Sequence, residues 1–448
     1  MNTPHEMIVD FLARLRVDRL PAAVVHEAKR ALLDTLGCIV AGLDTPLGTR
    51  LSSLHNQFLQ SPGATALGIR PPVSHFFAAM CNAYLANAYD ADDGHRMSRV
   101  HAGGVVIPGA LAAAEMQDCS GGRLIEAIVA GYELGLRAGM ASNLGDTYFG
   151  SAFGGAFGAT AAFGWILGLA PEQIIQALGI TEMHAPNSML MGWVASRQIP
   201  MIKEGMGWAA ASGVIAVLMA KAGITGTLTI FNGREPAVRL DRLGRDYEIE
   251  RRYYKPQPGC RWTHAPARIL MNLLAEHHLT ADDVASIEVR TFDKAAKLDN
   301  PCPATMEDAQ YSIPFVLGSI LAEGQFGPEQ MRRDQLNCPR ILNQAEKISL
   351  QVEPAFNKLY PALAKCAVVL KTQSGSVLCS DADNVQGDWD LPLSDDALKD
   401  KFVLFARNRL DAGQRETVLH QICTIEATSS IREFIQALNK SLIGLQSE

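Results

Sequence analysis

The sequence predicts a mainly α protein. A large all-helical domain is expected over residues 1–265 and 407–448, with a smaller α/β (α+β) lid domain on an antiparallel sheet over residues 266–406. Three observations carry this. The first 220 residues are cut by Gly, Pro and Asn into helix-length segments, and several, GWAAASGVIAVLMA among them, are apolar nearly all round, as helices buried among helices are. After about residue 280 the hydrophobic period falls to two. Between the two regimes lies YYKPQPGCRWTHAPARI, whose two prolines rule out a regular helix before Cys260.

The chain of 448 residues is 48% hydrophobic and 19% charged, enough for a large, well-filled core. A net charge of −7 without a long Lys/Arg run argues against nucleic acid as a partner. The nine cysteines contain no CxxC pair, which fits a reducing compartment. MNTPHEMIVD lacks a basic region followed by an apolar one, so a cytoplasmic location is expected. Thr147 to Pro171 carries no charge and is long enough for a membrane span. Its Gly, Ala and Ser content suits close helix contacts instead, so a buried core helix and no membrane are expected.

In chain order, Pro21 can open a helix without losing a hydrogen bond, and Val25, Ala28, Leu32, Leu36 and Ile39 hold one apolar face until Gly42. Helices are expected at about 74–89, 108–117, 121–142, 151–168, 171–182 and 204–222. Ile287, Val289 and Thr291 alternate with polar residues, as do Ile348, Leu350 and Val352, which makes two half-buried strands. A hairpin is expected from Ala367 to Leu378, turning at Ser374 and Gly375. A helix should run from Ser312 to Ala322, and Ser394 should cap another through Ala406.

The chemistry gathers in three places. Asn87 to Glu115 holds Asp90, Asp92, Asp93, His95 and His101 ahead of an Ala-rich helix. Their spacing fits neither a helical ligand pair nor a Cys/His zinc pattern, so no metal is expected. It leaves an acid–base site, in which an Asp orients a His that moves a proton, or a solvated polar loop. Arg197, Lys203, Lys255 and Arg261 are cations in apolar or Pro/Gly-rich surroundings. Together they would suit a ligand with two or three carboxylates, unless each pairs with an acid of the chain such as Glu204 or Asp241. Cys260 and His264 lie beside Arg261, but covalent catalysis would need a base and an oxyanion site that the sequence does not place. Tyr311, just ahead of a helix, can point at a cleft.

Taken together, AAVVHEAKRALLDTLGCIVAGLDTP, NAYDADDGH with HAGGVVIPGALAAAE, GAFGATAAFGWILGL, IKEGMGWAAASGVIAVLMAKAGITG, YKPQPGCRWTHA and AQYSIPFVLGSILAEG resemble the MmgE/PrpD family over nearly the whole chain. That family includes 2-methylcitrate dehydratase, cis-aconitate decarboxylase and iminodisuccinate epimerase. The resemblance implies a helical domain with an α/β lid, a homodimer, no metal or organic cofactor, and a small di- or tricarboxylate substrate. It gives Asp90 and His101 as the active-site Asp and first His, Lys203 as a pocket Lys one position out of register, and Lys255 and His264 as the later Lys and His.

Three positions depart from the pattern: Phe149 stands for a His, Ala102 follows His101 in place of Pro, and Phe315 stands for a pocket Tyr. The expected chemistry is proton removal next to a carboxylate. His101, Asp90, His264 and Lys203 are the catalytic candidates, and Lys255, Arg261, Asp93, His95, Cys260 and Tyr311 the substrate-binding ones. Loss of a β-hydroxyl from the carbanion gives dehydration, and reprotonation on the other face gives epimerisation. Decarboxylation is the alternative outcome, and a non-catalytic polycarboxylate binder the rival class.

Overall fold

The computed structural model describes residues 3–142, 150–188, 190–234, 236–382 and 385–444. Helix Ala22–Gly42 follows Pro21 as expected and ends where Gly42 meets the backbone of Leu85; a Cβ there would lie 2.2 Å from the Leu85 oxygen. Sequence reasoning missed an earlier helix, Pro4–Arg14, although Thr3 and Glu6 form a capping box at its start. It also missed the short helix Leu190–Ser196.

At the centre, Gly121–Ser142 packs on Ser151–Ile166. The glycines let the backbones meet: a Cβ on Gly154 would sit 2.6 Å from the Gly135 oxygen, and one on Gly158 2.7 Å from that of Gly131. Every residue of Ser151–Ile166 is buried, and among the described residues no single helix is long and apolar enough to cross a membrane. Gly103–Gln117 and Met206–Lys221 flank this pair. The first of them starts at Gly103, not at Pro108 as expected; the proline lies inside it and leaves one carbonyl without its helical donor.

The smaller core surrounds a four-stranded sheet in the order Ile348–Val352, Val284–Thr291, Cys366–Thr372, Val377–Ala382. The expected hairpin is there, with Leu370 opposite Leu378, and Ile287 pairs with Leu370 across the next ladder. The sheet is mixed and not wholly antiparallel, because Ile348–Val352 runs parallel to Val284–Thr291. The long helical connection between those two strands makes the crossover that parallel pairing needs. Helix Ile313–Glu323 packs on this sheet, as does His264–Glu276.

Two features tie the cores together. Helix Asp395–Ala406, capped by Ser394, puts Leu398, Phe402 and Ala406 into the larger core and Phe405 into the smaller. Its buried Lys401 donates to Asp34 Oδ1 at 2.6 Å and to the Ala91 carbonyl at 2.6 Å. A two-residue strand, Gly94–His95, pairs antiparallel with Arg252–Tyr253. Only a residue without a side chain fits at Gly94, where a Cβ would lie 2.3 Å from the Tyr253 ring. That pairing joins two of the chemical stretches read from the sequence.

Candidate active site

Helix His75–Asn87 gives way at Ala88 to a sharp turn through Asp90, whose φ of 51° lies in the left-handed region. Holding a residue with a side chain there costs on the order of 1 kcal/mol, so the surroundings must fix the turn. Lys203 does so from below. Its buried ammonium donates to the Asn87 carbonyl, to the Ala88 carbonyl at 3.3 Å and to Gln310 Oε1 at 2.8 Å, neutralising the negative end of the helix. Burial pushes its pKa down, and the nearby Asp90, Asp92 and Glu307 carboxylates limit the fall.

The three aspartates then part. Asp90 Oδ1 accepts from Lys255 Nζ at 2.6 Å, and the same ammonium reaches the Asp90 carbonyl at 2.8 Å. Burial lowers the lysine's pKa, but Asp90 and Asp92 outweigh it and the net shift is upward. Asp92 Oδ1 accepts from Asn87 Nδ2 at 2.9 Å, and its Oδ2 lies 3.3 Å from His101 Nδ1. Asp93 points into the scaffold, accepting from the Gly103 amide at 2.8 Å and the Tyr132 hydroxyl at 2.6 Å, with Arg252 Nε at 3.6 Å.

His101 stands just ahead of helix Gly103–Gln117, its Nδ1 facing Asp92 at 3.3 Å and Asp90 at 3.8 Å. These approaches are ion pairs by distance, yet neither is aligned as a hydrogen bond. Burial and the Lys255 ammonium lower the imidazole's pKa, the two carboxylates raise it, and the net shift is upward. Burial raises the Asp92 carboxyl in turn, but His101, Lys255 and Asn87 hold it well below the usual carboxylate range.

Asp90, His101 and Lys255 line a narrow cavity of about 70 Å³, together with Cys260, Arg261 and Tyr311. His95 lines it too, but its nitrogens face the scaffold: Nδ1 meets Ser98 Oγ at 3.0 Å and Nε2 lies 3.4 Å from Glu248 Oε2. Arg261 is held by the buried Asp388 carboxylate through both Nε, at 3.2 Å, and Nη2, and stacks on Tyr253. Burial pushes the Cys260 thiol up to about 12, so it is a protonated wall group.

Several sequence candidates stand elsewhere. Lys203 and Asp93 are buried behind the wall, as described. His264 is off the lining; its Nε2 faces the Gly259 carbonyl at 3.1 Å, and burial beside Lys255 lowers its pKa to about 3. Arg197 is half exposed and pairs with Asp299 at 3.3 Å. Phe315 packs edge-on against Phe326 inside the smaller core. Phe149 lies outside the described residues. The sequence reading missed Arg96, Arg99, Tyr253 and Tyr360 as lining residues, and noted Asp92 without a role. Arg99 had a signal, two positions before His101; Asp388, in an unpatterned loop, had none.

Ligand atoms of Asp90, Asp92 and His101 lie within 4.8 Å of one another, a grouping that could hold a metal ion. The Lys255 ammonium already brings positive charge to that group, so a cation there would compete with it. A larger groove of about 800 Å³ beside helix Pro4–Arg14 contains no such cluster of acids and imidazole.

Comparison with known proteins supplies the context. A cis-aconitate decarboxylase-like protein of Aspergillus oryzae is 23% identical, covering 97% of both chains. The cis-aconitate decarboxylase of Homo sapiens is 24% identical over 92% of this chain and 89% of its own. A mitochondrial 2-methylcitrate dehydratase of Yarrowia lipolytica is 26% identical over 58% of this chain and 54% of its own. The MmgE/PrpD N-terminal domain matches residues 6–249 and the MmgE/PrpD C-terminal domain residues 258–424. Matched in this order along nearly its whole length, the chain belongs to the MmgE/PrpD family.

Proposed function

We propose that the protein is a lyase or isomerase that moves a proton at a carbon next to a carboxylate of a small di- or tricarboxylate, with His101 as the acid–base group. The supporting observation is the His101 ring at the cavity wall, between two buried carboxylates and beside the Lys255 ammonium. Asp90 and Asp92 orient the ring and stabilise its charged form. Lys255 stabilises the enolate-like charge that proton removal creates. Tyr311 adds a hydroxyl to the wall, beside those of Tyr253 and Tyr360. Ordinary ligand pockets hold roughly 300–1,000 Å³, so a substrate requires the walls of this one to part, in keeping with a lid. No organic cofactor enters this reading, and a homodimer and a cytoplasmic location belong to it.

Epimerisation asks for two proton carriers on opposite faces. Dehydration asks instead for a base and an acid at the leaving hydroxyl, and beside His101 the lining offers Lys255 and Tyr311 for the second place in either reaction. Decarboxylation is a second reading, favoured because two decarboxylase-named relatives match over 92% and 97% of the chain, against 58% for the dehydratase. In that case the C–C bond breaks, carbon dioxide leaves, and the electron pair left on carbon takes the proton of the His101 imidazolium.

Proton NMR in deuterium oxide with cis-aconitate, 2-methylcitrate, citrate and iminodisuccinate tests this directly. Deuterium on a carbon next to a carboxylate, with loss of water or of carbon dioxide, supports the reading and names its branch. No exchange and no product on any of the four removes it. Inactivation by chelators would replace the Lys255 reading with a metal at Asp90, Asp92 and His101.

A further inference from the structure

Among the described residues the cavity wall carries three arginines, and two of them share one carboxylate. Asp388, which is 1% exposed, takes Arg261 through two nitrogens and lies 3.4 Å from Nη1 of Arg96. Arg96 also reaches Asp390 at 3.1 Å and stacks on Trp389. These two guanidiniums are therefore fixed to the 388–390 loop and brace the wall.

Arg99 is held differently. Its guanidinium carbon lies 5.5 Å from the centre of the Tyr360 ring, and both residues line the cavity. Its backbone sits in the left-handed region at φ 57°, unusual for a long side chain. A short turn holds it there: the Arg99 amide donates to the His95 carbonyl at 2.8 Å, and the His95 amide to the Val100 carbonyl at 3.0 Å. A strained residue fixed two positions from His101, with its charge laid over an aromatic face in the same cavity, is a built feature of the site. Glu204, which accepts from the Ser151 amide, lines the same cavity, and the planar fork of a guanidinium matches the two oxygens of a ligand carboxylate.

We propose that Arg99, seated on Tyr360, binds the substrate carboxylate remote from the reacting carbon, and so selects di- and tricarboxylates over monocarboxylates. This rests on the polycarboxylate reading above, and deepens it by dividing the labour: Lys255 beside the reacting carbon, Arg99 at the far end, Arg96 and Arg261 as wall braces.

The test is calorimetric titration of the full-length protein with propane-1,2,3-tricarboxylate, an unreactive probe, and with butanoate. Wild type should bind the tricarboxylate and prefer it to butanoate. Arg99→Gln should weaken tricarboxylate binding by about 10- to 100-fold, as expected for the loss of a charge-assisted contact, and leave butanoate binding unchanged. His101→Gln should keep tricarboxylate binding. Should Arg99→Gln not fold, Arg99→Lys keeps the charge but not the fork, and should show a smaller loss of the same preference. Unchanged tricarboxylate binding in a folded Arg99 variant overturns this assignment and leaves the proposed function standing. Equal weakening of both probes also overturns it, since a structural role predicts that. Failure of the wild type to bind the tricarboxylate overturns the polycarboxylate reading and this inference together.

Discussion

Asp92 and Asp93 are neighbours in sequence and both are fully buried, yet they serve opposite ends. Asp93 is closed in by a hydroxyl, an amide and a guanidinium, with hydrogen bonds of 2.6 and 2.8 Å, and like Asp92 it stands behind the cavity lining. Asp92 has one saturated oxygen and one that faces an imidazole without aligned bonding. A buried group with all its partners in place stabilises; one left partly satisfied carries a desolvation cost that a partner moving into line relieves. The difference in partners sets Asp93 in the scaffold and leaves Asp92 facing the imidazole, a distinction residue type does not carry.

Mutations should break the two clusters in different currencies. His101→Gln should lower turnover roughly a hundred- to ten-thousand-fold while the fold holds; full activity would take the ring out of the chemistry. Asp93→Ala should cost about 2–5 kcal/mol in urea unfolding, because it leaves the buried Tyr132 hydroxyl and Gly103 amide without their acceptor, while Arg252 keeps Glu27. A loss below about 1 kcal/mol would mean that the Tyr132 hydroxyl and the Gly103 amide find other partners.

Asp92→Asn should act on pH dependence. The carboxylate raises the His101 pKa, so its removal should shift the inflection carried by His101 to lower pH in kcat/KM profiles. The sign for stability follows: folded His101 keeps its proton to higher pH than the unfolded chain does. The stabilisation is present below the ordinary imidazole range and is lost as pH rises through the folded value. Thermal midpoints should therefore fall less steeply over that range in Asp92→Asn than in wild type, and an equal slope would detach Asp92 from the ring. The smallest effect is expected from Cys260→Ser. With its pKa pushed up to about 12, the thiol is not a nucleophile at neutral pH, so activity and resistance to iodoacetamide should be little changed.

These contrasts also show what the sequence conveys. Helix existence was legible because apolar faces and Gly, Pro and Ser punctuation are local signals; Ser394 caps its helix as read, and Ser374 and Gly375 lie at the turn of the hairpin. The parallel strand was not legible, since pairing direction depends on the crossover and not on the alternation of Ile348 and Leu350. At the site, the acidic turn and Lys255 announced themselves by unusual composition. Asp93 and Lys203 looked equally chemical, and only their partners and their place behind the cavity lining separate them from Asp90 and His101. Asp388 could not be found at all: it meets Arg261 across 127 positions of sequence, and nothing nearby marks it.

The Lys401 contact has a consequence for synthesis. The Ala91 carbonyl, between the two site aspartates, receives its ammonium from a residue 310 positions later, and Asp34 waits 367 positions for the same group. A nascent chain emerging from the ribosome therefore carries its acidic turn without this cation until Lys401 is made. Lys203 and Lys255 reach the turn earlier in synthesis, so the Lys401 ammonium is the last of the three cations to arrive and completes the clamp at Ala91.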